Sequence, residues 1–230
     1  MSDEGQTGIY KLLSTLTSRL QDPLVVIAGQ ASLDTDLPQD RLEKIQKSAD
    51  EMLNTIDDIM LSTRIINNKA EIVPKSFDIR RSIKNAQDEL KDYLKNKKHS
   101  IVVKTNRKLP LAIGDEFASQ ILIINLIKHC SELMSSESEL TISLRMTENE
   151  LQLLVRSRGL NINQNSHNRS INTLGTIRQP LTESISVDGL NLYLASEIAK
   201  RMSGRVKFVP TSTGSCYALS LPTNEQLRLL

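Results

Sequence analysis

RLEKIQKSADEMLNTIDDIMLSTRIIN, residues 41–67, is the stretch on which the reading of this chain turns. Leu42, Ile45, Ala49, Met52, Ile56, Ile59, Thr63 and Ile66 advance through it by alternating steps of three and four. That spacing places them along one seam of a helix wound against a neighbour. Upstream, Leu13, Thr17, Leu20, Leu24, Ile27 and Ala31 repeat it, predicting a first helix over Ile9–Asp34. Between the two, Asp34–Asp40 carries Pro38 and can reverse the chain. The expected product is an antiparallel helical hairpin.

A lone hairpin buries one face of each helix, yet Leu12, Leu16, Val25 and Ile65 lie off the seam. Two hairpins forming a four-helix bundle would cover this surplus, which predicts a homodimer. Leu13, Leu20, Leu24, Ile27, Ile45, Met52, Ile56 and Ile59 are the residues expected at its interface. The alternative is that the hairpin packs on a second domain of its own chain.

Beyond residue 73 the character changes. Pro74 is read as the end of the second helix and Phe77–Lys95 as a further amphipathic helix. A β-like run, Ile101–Val103, precedes a helix at Glu116–Met134, strands at Glu139–Arg145 and Leu151–Arg156, a helix from Gly189 to Met202, and strands Arg205–Val209 and Cys216–Leu221. This order predicts an α/β sandwich, a largely antiparallel sheet with helices on one face. The whole chain is then α+β: a hairpin over 1–73 and an α/β domain over 74–230. The polar stretch Asn161–Ser186 is long enough for a lid or an unstructured loop.

Composition narrows the function. The formal net charge is +2, aromatics make up 3% and tryptophan is absent, so neither a basic footprint nor a stacking platform for nucleic acid is expected. The longest apolar runs, Ile121–Leu126 and Leu24–Ala28, fall short of the roughly 18 to 20 residues of a membrane helix, and Met1–Gly8 is polar; the expectation is a cytoplasmic protein without membrane insertion. Cys130 and Cys216 lie in apolar patterns without ligand spacing and read as buried thiols. His99, His129 and His167 match no metal motif, so no metal site is expected. Lys95, Lys97 and Lys98 read as a solvated turn.

Several segments, in order along nearly the whole chain, resemble the bacterial sensor histidine kinases. Thr17-Ser18-Arg19-Leu20-Gln21-Asp22-Pro23-Leu24 is similar to that family's S-H-E-L-R-T-P-L segment, with Ser18 at the phosphoacceptor histidine. Gly114-Asp115 and Asn125-Leu126-Ile127-Lys128-His129 resemble the N box, N-L-L-x-N, with His129 at its second asparagine. Val155-Arg156-Ser157-Arg158-Gly159-Leu160-Asn161-Ile162 resembles V-R-D-N-G-P-G-I, with Ser157 at the adenine-binding aspartate and Asn161 at the second glycine. Gly189-Leu190-Asn191-Leu192 resembles G-L-G-L, with Asn191 at a glycine. Met202–Val206 and Gly214–Pro222 match the closing strands of the family's ATPase domain.

The resemblance implies a dimerising hairpin followed by an ATPase-type domain whose scaffold positions match and whose chemical positions differ. A serine hydroxyl lacks imidazole's nucleophilicity near neutral pH, and of Ser18's helical neighbours, Ser14 and Asp22, only Asp22 brings a carboxylate. Mg²⁺ prefers hard oxygen ligands, so His129 is a poor substitute for the metal-binding asparagine. Ser157 cannot supply a charge-assisted hydrogen bond to adenine. No catalytic residue and no cofactor are therefore expected, and Asn125, His129, Ser157, Gly159, Asn161, Gly189 and Asn191 read as degenerate nucleotide positions. The function implied is a silent, dimeric adaptor or regulator of two-component signalling. Its partner, a response regulator or a histidine kinase, would dock around Ile9, Leu12, Ser14, Ser18 and Asp22. Two alternatives stand beside it: a divergent kinase or phosphotransferase still using ATP and Mg²⁺, and a small-molecule sensor reusing the old nucleotide cavity.

Overall fold

The computed structural model describes residues 3–32, 38–66, 71–105, 109–135, 137–147, 150–157, 189–211 and 214–223. Helices α1 (Asp3–Ser32) and α2 (Pro38–Ile66) pack on each other across a five-residue connection, the predicted hairpin. Pro38 opens α2, a position where the missing N–H costs nothing, whereas Pro23 lies inside α1.

The next segment departs from expectation. The second helix stops at Ile66, and Pro74 precedes strand β1 (Lys75–Phe77). Phe77 is thus not helical; it pairs with Ala112 of strand β3 (Ala112–Gly114) in a two-stranded antiparallel ladder. The predicted single helix is two, α3 (Ile79–Glu89) and α4 (Lys91–Lys97), which meet at Leu90. Asp78 sets the start of α3: its carboxylate accepts from the Arg80 backbone N–H at 3.1 Å and pairs with the Arg80 guanidinium at 2.7 Å. The hydrogen bond from the Arg80 side chain, helped by the one from its backbone, holds the Asp78 carboxyl below its ordinary value, so the stability it contributes is present above the ordinary carboxylate range and fades as pH falls through it. Asp78→Ala is expected to cost about 1 kcal/mol in urea unfolding at neutral pH, with the difference from wild type shrinking in acid.

The remaining elements are β2 (Ser100–Lys104), α5 (Glu116–Glu132), β4 (Glu139–Thr147), β5 (Glu150–Ser157), α6 (Leu190–Arg201), β6 (Arg205–Thr211) and β7 (Gly214–Pro222). The five-stranded sheet runs β2-β4-β5-β7-β6, parallel only between β2 and β4. Alternation along the strands turns Leu140, Ile142, Leu153, Val155, Tyr217 and Leu219 toward the helical layer, all fully buried. The core continues into the hairpin: Ile65 is 2% exposed within it, and Leu61 and Ile66 pack against it. Part of the surplus apolar surface of the hairpin is therefore covered by its own chain.

Candidate functional site

Helix α5 is buried almost all round, polar residues included, and Ile121–Ile127 are buried without exception. A helix of this kind must be covered on opposite sides. Asp115 starts it by accepting from the Ala118 N–H at 2.9 Å. Ile121, Asn125, Lys128 and Glu132 follow each other by four, three and four residues, so they share one face. This face meets the hairpin. Asn125 Nδ2 donates to Ser62 Oγ of α2 at 3.3 Å and to the Ile121 carbonyl at 2.9 Å. The Lys128 ammonium pairs with Asp58 of α2, and the Arg19 guanidinium of α1 pairs with Glu132 at 3.1 Å. Glu132 also accepts from Asn191 Nδ2 in the first turn of α6 at 2.9 Å. Leu16, Ile59 and Ile66 of the hairpin form an apolar cluster with Leu190, Tyr193 and Leu194 of α6. Arg201 completes the joint by donating to the Ile66 carbonyl at the end of α2. The ion pairs are each about one-fifth exposed on at least one partner, which limits their worth to about 1 kcal/mol apiece.

His129 points the other way. Its imidazole is fully buried, with Nε2 3.0 Å from the Tyr217 hydroxyl and the rings edge to face at 5.1 Å. The Tyr217 ring meets Phe208 edge to face at 5.7 Å. His99 is likewise internal: a carbonyl only accepts, so its Nε2–H donates to the Ser135 carbonyl at 3.0 Å and Nδ1 accepts from Ser131 Oγ at 2.8 Å. Burial pushes the Tyr93 phenol up to about 12, with the nearby Glu132 carboxylate adding to it, and raises the Tyr217 phenol and the Cys130 thiol as well. Groups whose folded values are raised favour the native state below their unfolded values and lose that contribution as pH rises. Stability is therefore expected to fall progressively above about pH 9, checked by urea midpoints between pH 7 and pH 11.

The predicted site residues divide. Asn191 is bonded to Glu132 and Asn125 to Ser62 of the hairpin, while His129 is turned into the core toward Tyr217. Ser157 ends β5 at 3% exposure. Gly189 caps α6 with φ 68°, a left-handed conformation that glycine adopts without strain. Gly159, Asn161, His167 and the stretch 161–186 lie outside the described residues, as do the side chains of Ile9, Leu12, Leu13, Ser14 and Ser18. Asp22 is exposed on α1. Of the residues expected at a dimer interface, Leu24 is 48% exposed, Leu20, Ile27, Ile45, Met52 and Ile56 are half-buried, and Ile59 is buried within the chain under Leu190 and Leu194. Sequence reading passed over Arg19, Asp58, Ser62, Lys128, Glu132 and Tyr217. The four-three-four spacing along α5 was the available signal. Among the described residues no group of three or more His, Cys, Asp or Glu is arranged to hold a metal ion, and no helix is long and apolar enough to cross a membrane.

No family model matches the chain. It is 22% identical over 231 aligned positions to the adaptive-response sensory kinase SasA of Thermosynechococcus vestitus, covering 92% of this chain and 59% of that protein. It is 23% identical over 197 positions to hybrid signal transduction histidine kinase L of Dictyostelium discoideum, covering 81% of this chain and 12% of that protein. The chain thus spans about three-fifths of the first relative's length and about one-eighth of the second's. Among solved structures, the histidine kinase AdeS of Acinetobacter baumannii superposes with a TM-score of 0.63 at 14% identity, over 89% of this chain and 97% of that one. Histidine kinase ThkA, in complex with response regulator protein TrrA, superposes with a TM-score of 0.67 at 12% identity, over 97% of this chain and 64% of that one. The superpositions span both parts of the chain, which has the fold of a histidine-kinase core, a dimerisation-type helical hairpin followed by an ATPase-type α/β domain.

Proposed function

We propose that this chain is a catalytically silent histidine-kinase homologue that works by binding, as a dimeric cytoplasmic adaptor or regulator in two-component signalling. The observation that carries the reading is the use made of the N-box-like helix. Asn125 is hydrogen-bonded to Ser62, and His129 is turned toward Tyr217. The Glu132 carboxylate stands beside the first turn of α6, held by Asn191 and Arg19. A fixed negative charge there opposes a polyphosphate at the helix end that would otherwise attract one. Mg²⁺ with nucleotide would need oxygen ligands where His129 now faces the core, and this residue set does not fit it. The dimer is supported by the apolar side chains that the chain itself leaves uncovered: Leu24 and Val25 on α1, at 48% and 70% exposure, and Leu42, Leu53 and Met60 on α2, at 64%, 59% and 52%. Leu42, Leu53 and Met60 are spaced by eleven and seven residues, which returns them to one side of the helix. A second copy of the hairpin is the occupant that matches such a stripe.

The test is titration calorimetry with ATP, with and without Mg²⁺, on protein whose mass has been fixed by light scattering. The expected result is a dimer showing no heat of binding at millimolar nucleotide. Micromolar, Mg²⁺-dependent binding would instead establish a divergent kinase. The partner class is tested by passing response-regulator receiver domains encoded in the same genome over the immobilised chain, with binding by at least one expected.

A further inference from the structure

We propose that the face of the five-stranded sheet turned away from the helices is a docking surface, separate from α1, that takes an acidic protein partner. The alternation that sends Leu153, Val155, Tyr217 and Leu219 into the helical layer sends their neighbours to the opposite side. Leu154, Cys216 and Ala218 form a small buried cluster there, with Val209 packed against it, and no helix residue belongs to it. Around this centre stand the exposed cations Lys104, Arg145, Arg156, Arg205 and Lys207, against two carboxylates, Glu139 and Glu150. Five against two is an excess of three positive charges, more than the formal +2 of the whole chain, so the rest of the sequence is on balance acidic. Glu150 is already paired with Arg205. Among the described residues no carboxylate pairs with Lys104, Arg145, Arg156 or Lys207.

The register fixes how these charges are spread. Lys104 pairs with Ser143, Ser143 with Leu154, Leu154 with Ala218 and Ala218 with Lys207, so the two lysines flank one row of the sheet. Four strand-to-strand steps put their backbones roughly 19 Å apart. Arg156 stands across from Thr141, and Arg145 follows four residues further along β4, roughly 13 Å away in the strand direction. No single phosphate or carboxylate spans such a diamond, whereas a folded surface carrying several does. Two features favour a protein over a bilayer. The centre of the face is buried and offers no large apolar side chain for insertion into lipid. The Arg145 guanidinium is also held in place: it donates to Gln152 Oε1 at 3.0 and 2.9 Å, and Gln152 in turn donates to Ser220 Oγ at 3.1 Å. Its other N–H groups are left for a partner, and an oriented fork of this kind matches a carboxylate at two points. That the partner is a signalling protein rests on the adaptor reading; the place and the sign of its charge do not.

The test uses the full chain and two fluorescein-labelled helical peptides of about twenty residues, roughly 30 Å long and so able to cross the face, one with Glu and one with Gln at every fourth position. At about 0.05 M salt, where charges across the face are weakly screened, the Glu peptide is expected to bind and the Gln peptide is not. The triple variant Lys104→Gln, Arg156→Gln and Lys207→Gln should weaken binding of the Glu peptide at least tenfold. The triple variant Lys91→Gln, Lys95→Gln and Lys97→Gln, which removes as much charge from exposed positions of α4, should change it less than twofold. If the sheet variant fails to fold, Lys104→Gln and Lys207→Gln taken singly, each expected to cost at least twofold, decide in its place. No binding of the Glu peptide, or equal losses in the two triple variants, would overturn the surface. Phosphatidylcholine vesicles with about one-third phosphatidylserine are the rival probe. Binding to them that is tighter than to the peptide, and that the sheet variant abolishes, would assign the face to a bilayer and overturn the protein partner. The receiver domains decide the adaptor reading separately. One that binds the wild-type chain and loses at least tenfold on the sheet variant supports both. One that binds the two equally leaves the adaptor reading standing and overturns this face as its partner site. If none binds, the adaptor reading falls, while the peptides still decide the surface.

Discussion

His129→Asn, which reinstates the residue the N box carries, is expected to destabilise the protein by about 2 to 4 kcal/mol and to leave it without measurable nucleotide binding. The imidazole is fully buried and holds the Tyr217 hydroxyl, itself fully buried, at 3.0 Å. An asparagine is shorter, so it fails to reach that hydroxyl and leaves a void beside the Tyr217 ring. Both effects push the same way: loss of a buried hydrogen-bond partner, at about 1 to 3 kcal/mol, and loss of edge-to-face packing. Tyr217→Phe removes only the oxygen and should cost less, about 1 to 2 kcal/mol. Urea unfolding of the two single variants and the double variant checks the account. Coupling of about 1 kcal/mol between positions 129 and 217 is expected, and additive single effects would show that the pair does not act as a unit.

Gly204→Ala is expected to cost on the order of 3 kcal/mol for a single added methyl group. A Cβ at this position would stand 2.5 Å from the Ser220 carbonyl oxygen and 2.8 Å from Leu221 Cδ2. The leucine can turn, but the carbonyl belongs to the backbone of β7, paired with β6 through Arg205 and Ser220. Gly204 cannot retreat either, because its N–H donates to the Ala199 carbonyl at 2.8 Å and closes the end of α6. The methyl group must therefore part the α6–β6 turn from β7, in an interior packed too tightly to absorb it. A fall in the denaturation midpoint at unchanged slope is the expected reading; a cost below about 1 kcal/mol would mean that the turn shifts freely.

Much of the fold was legible because its elements announce themselves locally. The alternating three-and-four steps of Leu42 to Ile66 specify a helix seam, and the alternation in Leu151, Leu153 and Val155 specifies a strand with one buried face. The ladder of Phe77 with Ala112 was not legible. Each of its strands is only three residues long, too short for a period to register, and the pairing spans residues distant in sequence. The break at Leu90 escaped for the opposite reason, since Leu90 and Leu94 keep the buried face of α3 in phase across it.

The sequence by itself determined the hairpin, the longer helices and strands and their order, and the departures from the N box at His129 and from its neighbours at Ser157 and Asn191, because propensity, periodicity and motif spacing are properties of neighbouring residues. Only the tertiary structure decided what those residues do. Asn125 and His129 stand one turn apart on α5, yet one faces Ser62 of the hairpin and the other Tyr217 of the sheet, at sequence separations of 63 and 88 residues. Arg19 and Glu132 are equally remote, at 113 residues, and nothing local marks them as partners. Such contacts are chosen when apolar faces close on one another and each buried polar group must find what the packing leaves within reach.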